Sequence, residues 1–117
     1  MAKAKFLHGS PNMIDYTPAS AVSAGDVIIE GNAILIAHSD IASGELGAVS
    51  DGGGVYAIVK GSSTTAANGA PIHWDVADQE INADGANPQI GRLVEAAVSG
   101  LTTGKVRHSN QTQNTIS

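Results

Sequence analysis

The chain contains no cysteine, which removes disulfides, thiolate metal sites and cysteine nucleophiles from consideration. Aromatic side chains are scarce as well, with one Trp, two Tyr and one Phe in 117 residues. Of the 49 residues in the hydrophobic class, 18 are Ala, whereas Leu, Ile, Val and Phe together number 26. A domain of this length buries roughly two-thirds of the surface its unfolded chain exposes, and Ala adds little apolar area per residue. The expected core is therefore thin, and such a subunit gains from burying more surface against neighbours. Long apolar runs are also missing. Stretches such as Ala33–Ala37 fall far short of the ~20 residues of a membrane-spanning helix, and no N-terminal segment resembles a secretory signal. The expectation is a soluble chain, made and used without export and without a membrane partner. Positive charge is in short supply too: six Lys and Arg stand against eleven Asp and Glu, a formal net charge of −5. That balance argues against a general affinity for nucleic acid or anionic lipid. It is unevenly spread, because residues 1–14 carry Lys3 and Lys5 and no acid, while residues 15–108 carry four bases against eleven acids.

What is present is turn chemistry. Gly25-Asp26, Gly31-Asn32, Ser43-Gly44, Gly52-Gly53-Gly54, Gly61-Ser62, Asn68-Gly69, Asp84-Gly85, Ser99-Gly100 and Gly104 punctuate segments rich in β-branched residues. Residues 26–30 and 32–37 flank Gly31-Asn32, where both residues tolerate the positive φ of a tight turn, and are read as a β-hairpin. Residues 55–60 and 71–74 are further strand candidates on either side of a polar stretch over 61–69. Short strands at intervals of about 8–12 residues with glycine punctuation indicate a small all-β sandwich or barrel. Pro11, Pro18, Pro71 and Pro88 fall at or outside the segment edges, where a missing backbone donor is tolerated. Over 90–98, Ile90, Leu93, Val94 and Ala97 recur at helical spacing, yet the segment is short and contains Gly91, so periodicity leaves helix and strand both open. Residues 105–108 alternate like an edge or surface strand. The chain divides into an extended N-terminal arm over 1–16, a single β domain over 17–108, and a polar tail over 109–117 that is expected to be flexible.

Catalytic and metal motifs are not found. His8, His38, His73 and His108 lack close metal-ligand spacing and read as surface or strand histidines. Asp75, Asp78, Glu80 and Asp84 cluster, but without the spacing of a calcium loop, and are read as a solvated acidic connection. Ser62 and Ser63 follow Gly61 with no nucleophile-elbow pattern. Residues 100–106 differ from a phosphate-binding loop in glycine spacing and in having Val106 after the lysine. Gly52-Gly53-Gly54 reads as a flexible loop. Trp74, within an Ile-His-Trp strand, is a core or interface anchor in the first reading and a sugar-stacking face in the second.

The ordered features resemble a known family. The run Ile14-Asp15-Tyr16-Thr17-Pro18-Ala19-Ser20-Ala21-Val22-Ser23-Ala24-Gly25-Asp26-Val27-Ile28, followed by Gly31-Asn32, is similar to the opening of the tailed-phage capsid decoration (cement) proteins. Ile41-Ala42-Ser43-Gly44-Glu45, Gly54-Val55-Tyr56, Asn68-Gly69-Ala70-Pro71-Ile72-His73-Trp74-Asp75, Ile90-Gly91-Arg92-Leu93-Val94 and Lys105-Val106-Arg107 continue the resemblance in order over roughly residues 9–108. His73 departs from it, standing where the family's usual form has an aromatic residue.

The resemblance implies a β-barrel-like or β-tulip domain, a strand around residues 90–98, and a homotrimer on the outside of an icosahedral head. It implies a structural virion protein without enzymatic activity, made in the bacterial host cytoplasm, with the major capsid protein as partner. No cofactor, small-molecule substrate or nucleic-acid partner is expected. Within the arm, Lys5, Phe6, His8, Ile14 and Tyr16 are the expected capsid-facing residues, the competing expectation being that the arm packs on a neighbouring subunit. A carbohydrate-binding β-module acting through Trp74 and the acidic connection is the alternative function.

Overall fold

The computed structural model describes residues 3–30, 33–61, 63–84 and 87–109. The Gly31-Asn32 turn, Ser62, Gly85 and the tail from residue 110 onward lie outside them. Ten strands follow one another: β1 (Ala4–His8), β2 (Met13–Tyr16), β3 (Val27–Glu30), β4 (Ala33–Ala37), β5 (Gly47–Ser50), β6 (Val55–Val59), β7 (Pro71–Asp75), β8 (Glu80–Asn82), β9 (Gln89–Leu93) and β10 (Thr103–His108). They build two antiparallel sheets, one of six strands in the order β1-β6-β10-β9-β7-β8 and one of four in the order β2-β5-β4-β3. Neither sheet closes on itself, so the fold is all-β but lacks the barrel closure that the resemblance implied.

The reason lies in how the sheets cover each other. Strand β4 is apolar throughout, and Ile34 and Ile36 face the six-stranded sheet, where they join Tyr56, Ile58, Ile72, Trp74, Ile81, Ile90, Leu93 and Val106 in the main core. Its alternate residues, Leu35 and Ala37, point the other way with Ile28 and Val49. There Ile41, bridged to Val22 across a loop pair, folds over the sheet. Gly47 makes that cover feasible: a Cβ at its position would lie 2.5 Å from the Ile41 side chain. A strand covered on both faces needs an unbroken apolar run, which is what residues 33–37 supply.

The hairpin expected over 26–37 forms, with Val27 opposite Ile36 and Glu30 opposite Ala33. The ambiguous segment becomes β9 over 89–93, and Ala97 then makes a single bridge to Ala66. A register shift against β7 accompanies this, since Ile72 pairs with Gly91 and His73 with Gln89. The resulting bulge turns Ile90 and Gly91 both inward, which is why the hydrophobic spacing there imitated a helix. Residues 4–8 and 13–16, within the expected extended arm, lie along the sheets of this chain. They are edge strands, β1 on the six-stranded sheet beside β6 and β2 on the four-stranded sheet beside β5.

Gly52-Gly53-Gly54 is a fixed turn where a flexible loop was expected. Its φ values of 139°, 82° and 80° suit glycine alone. The turn is held from both sides, as the Gly53 amide donates to the His108 carbonyl (2.7 Å) and the His108 amide donates to Gly54 (3.0 Å).

Candidate functional site

The five arm residues singled out in the sequence belong to two different sheets. Lys5 and His8 are exposed on β1, and Phe6, 40% exposed, packs its ring on His38 (5.2 Å between centroids) and Tyr56 (5.5 Å). Lys5 and Phe6 thus border a cleft of about 420 Å³ that Gly25, Ala37, His38 and Tyr56 help to line. Ile14 and Tyr16 belong to a second cleft, of about 460 Å³, beside Glu30, Leu35 and Asp51. The Tyr16 hydroxyl donates to Glu30 at 3.3 Å. Partial burial, and then the neighbouring Glu30 charge, raises the Tyr16 phenol above its ordinary value. The structure therefore brings Lys5 together with Phe6 and Ile14 together with Tyr16, but does not bring the two groups into one site.

Behind Phe6 lies a polar network that no local sequence pattern foreshadows. His38 Nε2 meets the Tyr56 hydroxyl. His108, one of the buried polar residues, has Nε2 at 2.8 Å from the Ile34 carbonyl and Nδ1 at 3.0 Å from the Ser50 hydroxyl. A carbonyl can only accept, so Nε2 carries the proton and Nδ1 accepts from Ser50. Burial disfavours the imidazolium and lowers His108 below its usual value, an effect the Ile34 carbonyl and the Asp51 charge oppose. His38 is lowered by the same cause, and burial raises Tyr56. These groups hold the two sheets together at the end where Gly52-Gly53-Gly54 crosses.

The remaining sequence candidates have structural surroundings. His73 Nδ1 lies 2.9 Å from the Asn87 carbonyl. Asp75 accepts from the Asp78 amide and from Asn82, fastening the β7–β8 turn. Among the described residues, no group of three or more His, Asp and Glu is arranged to hold a metal. Trp74 is fully buried in the main core, and its indole N–H finds no acceptor among the described residues. It offers no face to a sugar ring, which removes the ground for the carbohydrate reading.

The outward face of the six-stranded sheet carries the feature that single-strand reading missed. Along β10, Val106 and His108 are buried while Thr103, Lys105 and Arg107 are exposed. In register, Lys5 and Lys105 both lie opposite Ala57 from either side, and Arg107 lies opposite Arg92. Four of the chain's six Lys and Arg residues thus share one face of an otherwise acidic protein. A fifth, Lys60, is buried and donates to the carbonyls of Gly61, Thr64, Val98 and Leu101. The alternation in 105–108 placed Lys105 and Arg107 together, but adding Lys5 and Arg92 requires knowing which strands are neighbours.

Together these features describe a small β domain with two open sheets, an exposed N-terminal edge on each, and polar groups that fasten the fold. Comparison with known proteins agrees with that picture. A family model described as phage cement protein matches residues 8–108. No curated protein and no solved structure matches the chain. By that match over most of its length, the chain belongs to the phage cement protein family, structural proteins of the virion that bind the capsid.

Proposed function

We propose that this chain binds the outer surface of an assembled phage head as a homotrimer and stabilises the shell, with the major capsid protein as its direct partner. Synthesis in the host cytoplasm and addition to the exterior of the formed head complete the reading. The observation that carries it is membership of the cement family across residues 8–108. A protein that binds only the assembled shell stabilises it by mass action. Three joined copies of a modest contact add through effective concentration, which suits a subunit with a thin, Ala-rich core.

Lys5, Phe6, His8, Ile14 and Tyr16 are the proposed shell-facing residues. In support, β1 and β2 are the edge strands of their sheets, and an edge strand can pair with a strand of a partner. Met13 and Ile14 also leave 40% and 37% of their surface exposed. The test is co-sedimentation with undecorated heads, with subunit number read by light scattering. Point variants suit this test, because removing residues 2–13 would strip an edge strand from the larger sheet together with the buried Ala4. The wild type should pellet with heads as a trimer and raise their disruption temperature, and Ile14→Ser with His8→Ala should weaken pelleting. A folded monomer that ignores heads overturns the proposal; full binding by the double variant removes the N-terminal edge from the contact.

A further inference from the structure

Arg92 and Arg107 face each other directly across the β9–β10 ladder, both exposed. Like charges opposite one another weaken a strand pair, and no ion pair among the described residues neutralises these two. Among the described residues the ion pair is Lys105–Glu95, 3.1 Å apart, between β10 and the bend that follows β9. Other acids are committed to turns: Asp26 accepts from the Ser23 amide, Asp40 from the Ala24 amide and Asp75 from the Asp78 amide. Eleven acids are available in this sequence, yet among the described residues no ion pair joins one of them to either arginine. A local rule broken without internal compensation marks a functional position more often than an accident.

The arginines are also held in place. Gly91 sits so close to β10 that a Cβ there would come within 2.0 Å of the Arg107 carbonyl oxygen, so the two strands run unusually tight beside the pair. Arg92 is steadied by donating to the Gly69 carbonyl at 3.2 Å. Both line a cleft of about 360 Å³ whose other wall is the pinned Gly52-Gly53 turn and the end of β10. Lys5 adds positive charge on the same face.

We propose that Arg92 and Arg107 form a carboxylate-binding site through which this face docks on an acidic patch of the shell protein. The inference rests on the capsid-binding reading and names the chemistry of the partner surface. Charge complementarity selects a protein carboxylate over nucleic acid. A guanidinium fork matches a carboxylate in a bidentate contact, whereas an extended polyanion would also meet the rest of the molecule. That remainder is strongly negative: residues 6–59 carry six acids and no Lys or Arg.

The experiment compares binding of the wild type, Arg92→Gln/Arg107→Gln and Arg92→Lys/Arg107→Lys to undecorated, DNA-free heads. The Gln pair should lower affinity at least about tenfold, with the Lys pair in between. Raising NaCl from about 50 to about 500 mM should weaken the wild type several-fold and the Gln pair far less. Melting temperature separates this from misfolding, since removing opposed charges should leave the Gln pair as stable as the wild type or more so. Equal binding by the wild type and the Gln pair overturns the site while leaving the capsid reading intact. A wild type that does not bind heads at all overturns both. Two further results also overturn the site: salt-sensitive wild-type binding to a DNA duplex that the Gln pair loses while heads are bound equally, or loss of oligomer in light scattering with head binding unchanged.

Discussion

Replacing Lys60 by methionine tests how the larger sheet holds its connecting loops. Lys60 is 2% exposed at the end of β6, and its ammonium lies 3.2 Å from the Gly61 carbonyl, 3.0 Å from Thr64, 2.9 Å from Val98 and 2.8 Å from Leu101. Three hydrogens therefore serve four acceptors, drawn from the loop after β6 and from the loop between β9 and β10. Hydrogen bonds to a charged group contribute about 1.5–3 kcal/mol each, against a desolvation cost of several kcal/mol for burying the ammonium. Methionine matches the length and apolar stem but offers no donor. The Val98 and Leu101 residues are exposed, so part of the loss is recovered by water at their carbonyls. The expected net destabilisation is about 3 kcal/mol, since a buried carbonyl that loses its donor costs about 1–3 kcal/mol and more than one is affected. At ~4 °C per kcal/mol for a domain of this size, the melting temperature should fall about 12 °C. Urea unfolding measures the change, with an unaltered denaturant slope showing that the unfolded state is unaffected. Amide exchange should rise over residues 98–102, where the Lys60 amide itself donates to Thr102. A variant within about 0.5 kcal/mol of the wild type, with unchanged exchange, would refute the claim that Lys60 fastens these loops.

Two further outcomes follow from the same structure. His108 titrates below its ordinary value of 6.5 in the folded protein because it is buried, so the unfolded chain takes up the proton first. Its contribution to stability is complete above about pH 6.5 and declines as pH falls toward the folded value, with a limiting slope of about 1.4 kcal/mol per pH unit. Urea midpoints across that window should flatten in His108→Gln, leaving a smaller slope from His38; superimposable profiles would contradict the assignment. Gly91→Ala should cost about 3 kcal/mol or more, since its Cβ meets backbone at 2.0 Å, whereas Gly69→Ala, at φ +86° with open space around it, should cost about 1 kcal/mol. Equal effects in thermal melts would show that the β9–β10 approach is looser than described.

Much of the fold was legible because it rests on patterns local to the chain. β-Branched runs between glycine turns located β3, β4, β6, β7 and β10, and the unbroken apolar run of β4 follows from cover on both faces. Residues 4–8 and 13–16 were harder. Their apolar residues are scattered because an edge strand buries little: β1 has one buried residue of five, and β2 has none. A segment with so weak a pattern looks like a loose arm until its pairing partners, β6 and β5, are known. Residues 89–93 were ambiguous for a different reason, since a bulge shifts the inward-facing residues by one and breaks the alternation that identifies strands.

The candidate site was less legible for a reason that goes beyond pattern strength. Lys5, Arg92 and Arg107 are 87 and 15 positions apart in sequence, and nothing in the local sequence of any one of them differs from an ordinary solvated strand residue. What sets them apart is register: Lys5 lies opposite Ala57, Ala57 opposite Lys105, and Arg107 opposite Arg92. Register is decided by core residues, because a one-residue slip of β10 would bury Lys105 and Arg107 and expose Val106 and His108. The close approach permitted by Gly91 and the His108 contacts to Ile34 and Ser50 resist that slip. The basic face is thus a consequence of what is buried beneath it. Core substitutions such as His108→Gln should then disturb docking only if they move β10, whereas the Arg92 and Arg107 substitutions alter the face and leave the core as it is.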